Sequence, residues 1–253
     1  MNIRLKSKED IEELKVSGAI LRDTLRTLSE EAKIGVTLKH LDARARALIK
    51  ERGAEPTFLG YTPEGAGAPY PAAICASVNE TIVHGIPNDY SLKDGDILSI
   101  DLGVTYHGFV TDAAVTVGIG TISEEAKDLI ETTKRSLELA IRECEPGKRL
   151  GDIGYIIEKT AKMGHFSVIN GLTGHGVGFE LHEDPSVYNY GSRGEGMKLV
   201  PGLVIAIEPM FSAGSPNAAA RRDGSFVTKD KSLSAHFEHS IAITEDGYIV
   251  LTA

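Results

Sequence analysis

Two aspartates stand in the β-branched and apolar segment Ile97-Leu-Ser-Ile-Asp101-Leu-Gly-Val-Thr-Tyr-His-Gly-Phe-Val-Thr-Asp112-Ala-Ala-Val-Thr-Val117. The expected chain reversal is His107-Gly108, because a two-residue turn there joins two strands of alternating residues. That turn pairs Gly103 with Asp112, so Asp101 becomes a diagonal neighbour of Asp112 on one sheet face, about 7–8 Å away. The segment therefore predicts a hairpin that presents two carboxylates together. The alternative, two solvated aspartates on an exposed face, is disfavoured by their apolar neighbours.

Carboxylates recur in other apolar stretches of the chain. Ile-Glu208-Pro and Phe-Glu238-His each bury an acidic residue, which is costly unless it is paired, protonated or bound to a cation. An imidazole in Gly174-His175-Gly176 lies between glycines, where backbone can approach closely. Together these positions predict a buried binuclear metal site formed by Asp101, Asp112, His175, Glu208 and Glu238.

The composition of this set indicates the ion and the reaction. Four carboxylates and one imidazole suit Mn, Fe, Co or Zn, and the two cysteines, Cys75 and Cys144, are too few for a thiolate zinc site or a disulfide framework. Two ions about 3.5–4 Å apart can hold one hydroxide, lower its pKa and polarise a carbonyl group. We therefore interpret the site as one for hydrolysis of a peptide or a related amide.

Three further histidines lie near the proposed ligands in the sequence. His182 follows His175 in one Gly-rich loop, and this pairing favours one imidazole on metal and the other on substrate. His236 and His239 flank Glu238, and we expect them at the surface or just outside the ligand set.

The order of predicted elements suggests two similar halves. Ser7, Thr37 and Ser123 are expected to cap helices, the last running to about Cys144, and a fourth helix is expected over about Ile153–Met163. Strands are expected at Ala72–Val78, Ile97–Tyr106 and Phe109–Val117. Helices followed by strands occur once before residue 120 and once after it. The prediction is an α+β fold whose halves, about 1–120 and 121–253, pack their sheets together with the helices outside.

Composition limits the classes of protein. The chain has 253 residues, 42% of them hydrophobic and 25% charged, as expected of a folded globular protein. A net charge of −9 provides no basic surface for direct binding of nucleic acid. The N-terminal sequence lacks the apolar core of a signal peptide, and no run approaches the ~20 apolar residues of a membrane span. We expect a cytoplasmic protein.

Several motifs together resemble those of the type I methionine aminopeptidases, and the resemblance extends over nearly the whole chain. They are Ser77-Val-Asn-Glu-Thr-Ile-Val-His84-Gly-Ile-Pro, Asp101 and Asp112, Gly174-His175-Gly-Val-Gly, His182-Glu-Asp-Pro, Ile207-Glu208-Pro-Met and Phe237-Glu238-His239. The resemblance implies a single catalytic domain, 1–253, with the two-halved pita-bread fold. It also implies removal of initiator methionine from nascent proteins with a small second residue, through attack by a water or hydroxide that bridges two metal ions.

The resemblance assigns a role to each proposed ligand. Asp101 chelates one ion, Asp112 and Glu238 bridge both ions, and His175 and Glu208 bind the other. The family's partners are peptides and nascent chains with N-terminal methionine, encountered by a transient association with the ribosome. Members are often monomers, although no feature of the sequence excludes a dimer.

The resemblance also assigns catalytic and substrate-binding residues. His84 and His182 contact the substrate around the scissile amide, and Glu208 moves a proton from water to the leaving nitrogen. The methionine side chain enters a pocket of Phe58, Tyr61, Tyr70, Cys75 and Leu181. Leu181 replaces the usual aromatic residue, the expected tryptophan is absent, and the loop Thr62–Pro69 is longer than usual. Side-chain selectivity therefore stays open.

Two other functions remain as alternatives. One is a catalytically inactive peptide-binding module on the same fold, but such modules lose metal ligands. The other is a Pro-specific aminopeptidase or prolidase-like hydrolase, which shares the five ligand types but lacks the motif around His84.

Overall fold

The structure is a computed structural model that describes residues 2–62 and 68–253. The lengthened loop Thr62–Pro69 therefore lies largely outside the described residues. The described chain forms these elements: α1 (Lys8–Glu31), α2 (Leu38–Glu51), β1 (Glu55–Pro56), β2 (Cys75–Val78), β3 (Thr81–Val83), β4 (Ile97–Tyr106), β5 (Phe109–Gly118), α3 (Glu124–Ile141), α4 (Leu150–Met163), β6 (Ser167–Val168), β7 (Thr173–Gly176), β8 (Glu183–Tyr188), β9 (Val204–Ile207), β10 (Met210–Ser212), β11 (Ala218–Ala220), β12 (Phe226–Thr228), β13 (Ser234–His236), β14 (His239–Thr244) and β15 (Gly247–Val250).

The hairpin of β4 and β5 has the predicted register. Tyr106 pairs with Phe109, and Gly103 pairs with Asp112. Both turn residues have positive φ, 49° at His107 and 85° at Gly108. Positive φ at both central positions is typical of the type I′ turn, whose twist matches that of the flanking strands. The turn thus sets which residues of the two strands share a face, and the prediction is confirmed.

Helix caps follow the sequence closely. The Ser7 side chain accepts a hydrogen bond from the Asp10 backbone N–H in a capping box, and the Thr37 and Ser123 side chains cap α2 and α3. The helix α4 begins three residues before the predicted Ile153. The Asp152 carboxylate accepts a hydrogen bond from the Arg149 backbone N–H at 2.9 Å, and this contact closes an earlier first turn.

The predicted strand Ala72–Val78 is wrong at its start, because β2 begins only at Cys75. Side chains occupy the backbone groups that a strand would have paired. The Ala73 N–H donates to the Asp42 carboxylate at 2.6 Å, and the Tyr70 hydroxyl donates to the Ile74 carbonyl at 3.1 Å. Local apolar character alone does not reveal such long-range partners.

Two sheets with separate helical layers form the two halves. The first sheet has the order β1-β4-β2 with β5 on β4, and the second has the order β15-β14-β9-β7-β8. Leu21 of α1 and Leu41 of α2 pack with Ile100 of the first sheet. Leu137 of α3 packs in a second buried cluster with Ile205 of the second sheet. This arrangement is the predicted α+β fold. None of the described helices is long and apolar enough to cross a membrane.

A seam joins the halves, formed by β5 of the first half and residues 236–240 of the second. The Ser240 hydroxyl accepts a hydrogen bond from the Asp112 N–H at 2.9 Å and donates to the Asp112 carbonyl at 2.8 Å. The Thr116 hydroxyl accepts from the His236 N–H at 2.9 Å and donates to the His236 carbonyl at 2.8 Å. Each hydroxyl therefore satisfies both backbone groups of one residue in the opposite half.

The middle of the seam is an antiparallel bridge. Ala114 and Glu238 pair there, and the Glu238 N–H donates to the Ala114 carbonyl at 3.0 Å. Glu238 thereby lies beside β5, the strand that carries Asp112. The backbone contacts that join the halves thus also bring together two proposed metal ligands.

A buried ion pair fixes the N-terminal segment to Glu183, the first residue of β8, and so to the loop that precedes this strand. Lys6 Nζ lies 2.5 Å from Glu183 Oε2, with side chains only 1% and 4% exposed. The other Glu183 oxygen accepts hydrogen bonds from the Phe179 and Glu180 N–H groups at 2.6 and 2.9 Å. The charges of the pair and the backbone of the loop are therefore satisfied together. This loop leads directly into His182.

We predict that Lys6→Met lowers the free energy of unfolding by about 3–5 kcal/mol, because it leaves the buried Glu183 charge without its partner. The matched control is Arg4→Met, since Arg4 pairs with Glu180 at 2.9 Å but the side chains are 42% and 69% exposed. That change should lower the free energy by less than about 1 kcal/mol. Urea denaturation of both variants measures the difference, and equal losses would contradict the importance of burial for this pair.

Candidate metal centre

The five proposed ligands come from different elements of both halves. Asp101 lies on β4, Asp112 on β5 and His175 on β7. Glu208 directly follows β9, and Glu238 lies between β13 and β14. Strand pairing explains their convergence, because His175 and Ser240 both pair with Ala206 while Ser240 bonds Asp112.

Distances place one imidazole among three carboxylates. His175 Nε2 lies 3.8 Å from Asp112 Oδ2, 3.6 Å from Glu208 Oε1 and 4.0 Å from Glu238 Oε1. Ligand atoms of Asp112, His175 and Glu238 all lie within 4.8 Å of one another. Two ligands held about 2.1 Å from a common ion are at most about 4.2 Å apart. The spacing around His175 is therefore that of a metal-ligand cluster.

The carboxylates lie in a region where their charge is unfavourable. Burial raises the pKa of both Asp112 and Glu208, and the Glu208 charge raises that of Asp112 further. Burial also raises the pKa of Asp101 and of Glu238, with the neighbouring carboxylates adding to each shift. The register of β4 and β5, which pairs Gly103 with Asp112, makes Asp101 a diagonal neighbour of Asp112, as predicted.

Three carboxylate oxygens of the site have no hydrogen-bond partner among the residues that the structure describes. Asp101 Oδ1, Asp112 Oδ1 and Glu238 Oε1 are buried, and none has a hydrogen-bond partner in the described chain. Buried carboxylate oxygens are normally paired with donors or cations. A divalent cation would supply both the missing contacts and the missing charge, so these residues fit a metal site.

The tautomer of His175 is suited to metal binding. Its Nδ1 lies 2.9 Å from the Gly176 carbonyl oxygen, so Nδ1 carries the proton and the Nε2 lone pair faces the carboxylates. Burial lowers the pKa of His175 to about 4, which keeps the ring neutral at pH 7. The flanking glycines are needed for close approach, since a Cβ at Gly174 would meet the Ala206 carbonyl. The close approach expected from the sequence is present.

Of the two proposed substrate-contacting histidines, His182 lies directly against His175, whereas the His84 ring packs on Phe226 with centroids 5.8 Å apart. The rings of His182 and His175 are 4.5 Å apart between centroids. His182 is exposed, yet partial loss of water around its ring lowers its pKa, and nearby His175 and His84 lower it further. His84 follows β3 with a φ of 60°, an uncommon conformation for a residue other than glycine. Such backbone conformations cluster at functional sites.

One contact of His182 has no signal in the sequence. The Tyr61 hydroxyl lies 2.7 Å from His182 Nδ1. The family resemblance implies only a place in the apolar pocket for Tyr61. Its hydroxyl also reaches the imidazole of His182, beside the proposed ligands.

The expected pocket residues come together in one apolar cluster. Phe58, Cys75 and Leu181 are buried in it, and Tyr61 and Tyr70 pack against it partly buried. The Phe58 and Tyr70 rings meet edge to face, with centroids 6.4 Å apart. An apolar surface therefore lies beside the imidazole of His182.

His236 is buried just outside the proposed ligand set, the second of the two positions expected from the sequence. A surface position was compatible with its neighbours along the chain, but the residue is only 1% exposed. His236 Nε2 lies 3.5 Å from Glu208 Oε2 and 3.9 Å from Glu238 Oε2. Residues two apart in an extended chain point to the same face, so the spacing of His236 and Glu238 was the signal. His239 lies elsewhere, with Nδ1 2.8 Å from the Thr252 hydroxyl.

Comparisons with known proteins agree with this geometry. Residues 12–245 match metallopeptidase family M24. A methionine aminopeptidase of Clostridium perfringens is 43% identical over 99% of this chain and 98% of its own length. The crystal structure of methionine aminopeptidase from Rickettsia prowazekii superposes with a TM-score of 0.95 at 36% identity, covering 100% of both chains.

A more distant likeness concerns the fold alone. Prolidase from Pyrococcus furiosus has a TM-score of 0.77 at 24% identity, and the match covers 98% of this chain but 65% of the prolidase. The chain therefore matches the methionine aminopeptidases in sequence over its full length. It shares only its fold with the prolidase. The chain belongs to metallopeptidase family M24 and, within it, to the methionine aminopeptidases.

Proposed function

We propose that this protein removes the N-terminal methionine from peptides and nascent proteins whose second residue is small. The observation that carries the proposal is the cluster of Asp112, His175 and Glu238 with ligand atoms within 4.8 Å, in a chain of this family. A cytoplasmic location and a transient encounter with the ribosome belong to the proposal, since initiator methionine first becomes accessible where chains are synthesised. We propose that the protein acts as a monomer.

The proposed cofactor is a pair of divalent ions of the Mn, Fe, Co or Zn type. Asp101 would hold one ion and His175 with Glu208 the other, while Asp112 and Glu238 would contact both. When bound, such ions polarise a carbonyl oxygen and lower the pKa of water so that a nucleophile forms at neutral pH. The mixed oxygen and nitrogen donors suit these metals.

Glu208 is the proposed proton carrier. Its Oε1 atom lies 3.6 Å from His175 Nε2, inside the proposed ligand set. A carboxylate within hydrogen-bond reach of the attacking water can accept its proton and later return it. In the proposed reaction Glu208 accepts a proton from the attacking water and delivers it to the leaving amide nitrogen.

His182 is the proposed donor to the substrate carbonyl. The Tyr61 hydroxyl, 2.7 Å from His182 Nδ1, can donate to that nitrogen and so leave the proton on Nε2. An Nε2–H group stabilises the carbonyl oxygen as negative charge develops on it. Tyr61 would thereby fix the tautomer and the direction of the ring. His84 is proposed as the second histidine that contacts the substrate around the amide.

The apolar cluster of Phe58, Tyr61, Tyr70, Cys75 and Leu181 is the proposed pocket for methionine. The Tyr70 hydroxyl donates to the Ile74 and Gly85 carbonyls, both at 3.1 Å, which holds the tyrosine in place. An unbranched thioether side chain fills irregular apolar space well. Leu181 presents a smaller side chain to this pocket than an aromatic residue would, which changes the shape of the pocket.

The alternatives are less well supported. A catalytically inactive binding module is disfavoured because all five ligand-type residues are present and four of them surround or closely approach one another. A prolidase-like activity is disfavoured because the likeness to prolidase is one of fold, with the match covering 65% of that chain.

Cleavage of Met-Ala-Ser, compared with Leu-Ala-Ser, tests the proposed function. After removal of metal with a chelator, activity should be absent and should return with Mn, Co, Fe or Zn titrated separately. We expect release of methionine to exceed that of leucine at least tenfold, roughly the scale on which an apolar pocket discriminates side-chain shape. Restored hydrolysis without this preference would reassign the substrate. Failure to hydrolyse with any metal would support the inactive binding module.

Asp112→Asn and Glu238→Gln test the metal ligands. Each replaces a charged donor with a neutral amide, and we expect kcat/KM to fall by at least about 1000-fold, because metal catalysis contributes several kcal/mol. The control is Asp89→Asn, whose side chain is 83% exposed. It should behave as the unchanged protein does. Circular dichroism should show a preserved fold, and normal turnover in either ligand variant would refute the assignment.

Tyr61→Phe tests the role of the tyrosine hydroxyl. The aromatic ring and its share of the pocket remain, so KM for Met-Ala-Ser should change little. We expect kcat to fall about tenfold, because loss of an orienting partner typically has an effect of this order. Tyr188→Phe, which alters an exposed tyrosine, is the control. A rise in KM at constant kcat would instead assign the hydroxyl to substrate binding.

A further inference from the structure

We propose that His236 is a positioning residue that holds the outer oxygens of Glu208 and Glu238, so that their inner oxygens face the metal ions. The inference rests on the proposed metal site. It concerns a residue for which the sequence motifs assign no role. His236 acts through the two glutamates and does not itself touch substrate.

The two glutamates lie between two imidazoles. Their Oε1 atoms face His175 Nε2, at 3.6 Å for Glu208 and 4.0 Å for Glu238. Their Oε2 atoms face His236 Nε2, at 3.5 Å and 3.9 Å. Each carboxylate therefore presents one oxygen to each histidine. The oxygen on the His175 side belongs to the metal-ligand cluster, and the other oxygen is the one that His236 can hold.

The imidazole of His236 is buried, and its hydrogen-bonding groups are unused. Neither of its ring nitrogens has a hydrogen-bond partner among the described residues. An unpaired buried donor is unfavourable by about 1–3 kcal/mol, so a specific use of the group is expected. Imidazole can carry a proton on Nε2 in its neutral form and always does when charged. That N–H is the group facing the two carboxylates.

Hydrogen bonds from the opposite half hold the backbone of His236 in place. The Thr116 hydroxyl bonds both the N–H and the carbonyl of His236, at 2.9 and 2.8 Å. Thr116 in turn contacts the Ser99 hydroxyl at 2.8 Å. The first half of the molecule therefore anchors a residue of the second half directly beside the glutamates. Such anchoring is what a positioning group requires.

The geometry favours a donor over an additional ligand. His236 Nε2 faces the Oε2 atoms of the two glutamates, whereas His175 Nε2, within the ligand cluster, faces their Oε1 atoms. The separations from His236 Nε2 are slightly longer than a hydrogen bond. A small rotation of either carboxylate would close one of them. Partners of this kind orient metal-binding carboxylates and strengthen their hold on the ion.

The test compares Co²⁺ binding to four chelator-stripped proteins by calorimetry. They are the unchanged protein, His236→Leu, His236→Gln and the control His239→Gln. His236→Leu removes the donor, and we expect Co²⁺ affinity to fall about 10–100-fold. His236→Gln keeps an N–H donor of similar reach and should restore most of the affinity. His239 bonds Thr252 and does not face the glutamates, so its variant should bind as the unchanged protein does.

The visible spectrum of the Co²⁺ protein separates positioning from ligation. A positioning role leaves the donor atoms at the metal unchanged, so His236→Gln should retain the absorption bands and the stoichiometry of the unchanged protein. Loss of one bound ion, or a changed spectrum in His236→Gln, would identify His236 as a ligand and overturn the proposal. Equal affinity of His236→Leu and the unchanged protein would also overturn it.

Two further measurements distinguish loss of the donor from loss of the fold. Urea unfolding of the metal-free variants shows whether His236→Leu still folds. If His236→Leu does not fold, His236→Gln is compared with His236→Asn. The Asn side chain is too short to bring its N–H to the glutamates, so its Co²⁺ affinity should be lower than that of His236→Gln. Equal affinities of these two variants would contradict the proposal. An unchanged protein that binds no Co²⁺ would contradict the proposed function and this inference together, whereas normal binding in every variant would contradict this inference alone.

Discussion

The seam between β5 and residues 236–240 is the contact on which the site depends. Two hydroxyls, those of Ser240 and Thr116, each bond both backbone groups of a residue in the opposite half. These hydroxyls take the place of the backbone partners that a neighbouring strand would provide. The Ala114–Glu238 bridge lies between them. Asp112 and Glu238 are therefore held together by backbone geometry, in spite of the repulsion between their carboxylates.

That repulsion explains why the surroundings of the cluster are built as they are. Burial among like charges raises the pKa of Asp112, burial raises that of Glu208, and a divalent cation offsets this kind of unfavourable interaction. The imidazole of His175 is kept neutral by burial and correctly directed by the Gly176 carbonyl. The glycines beside it allow strand β7 to lie against β9 and β8. Electrostatics, tautomer and close packing thus favour the same ligand arrangement.

Much of this site could be predicted from sequence, for identifiable reasons. The His107-Gly108 turn leaves one register, and that register places Asp101 beside Asp112. Apolar neighbours indicated that Glu238 is buried and that Glu208 is largely shielded from solvent. Other features depend on partners far along the chain. The late start of β2 follows from Asp42, and the contact of Tyr61 with His182 spans the two halves. Local patterns carry no information about such pairs.

Because the ligands come from both halves, their order along the chain also limits when the site can exist. On the proposed ligand set, Asp101 and Asp112 are synthesised first and Glu238 last. The seam that positions Glu238 needs Ser240 as well. A chain that is still being translated therefore cannot complete the centre until Glu238 and Ser240 have left the ribosome. On the proposed ligand set, metal uptake would therefore report that the two halves have docked.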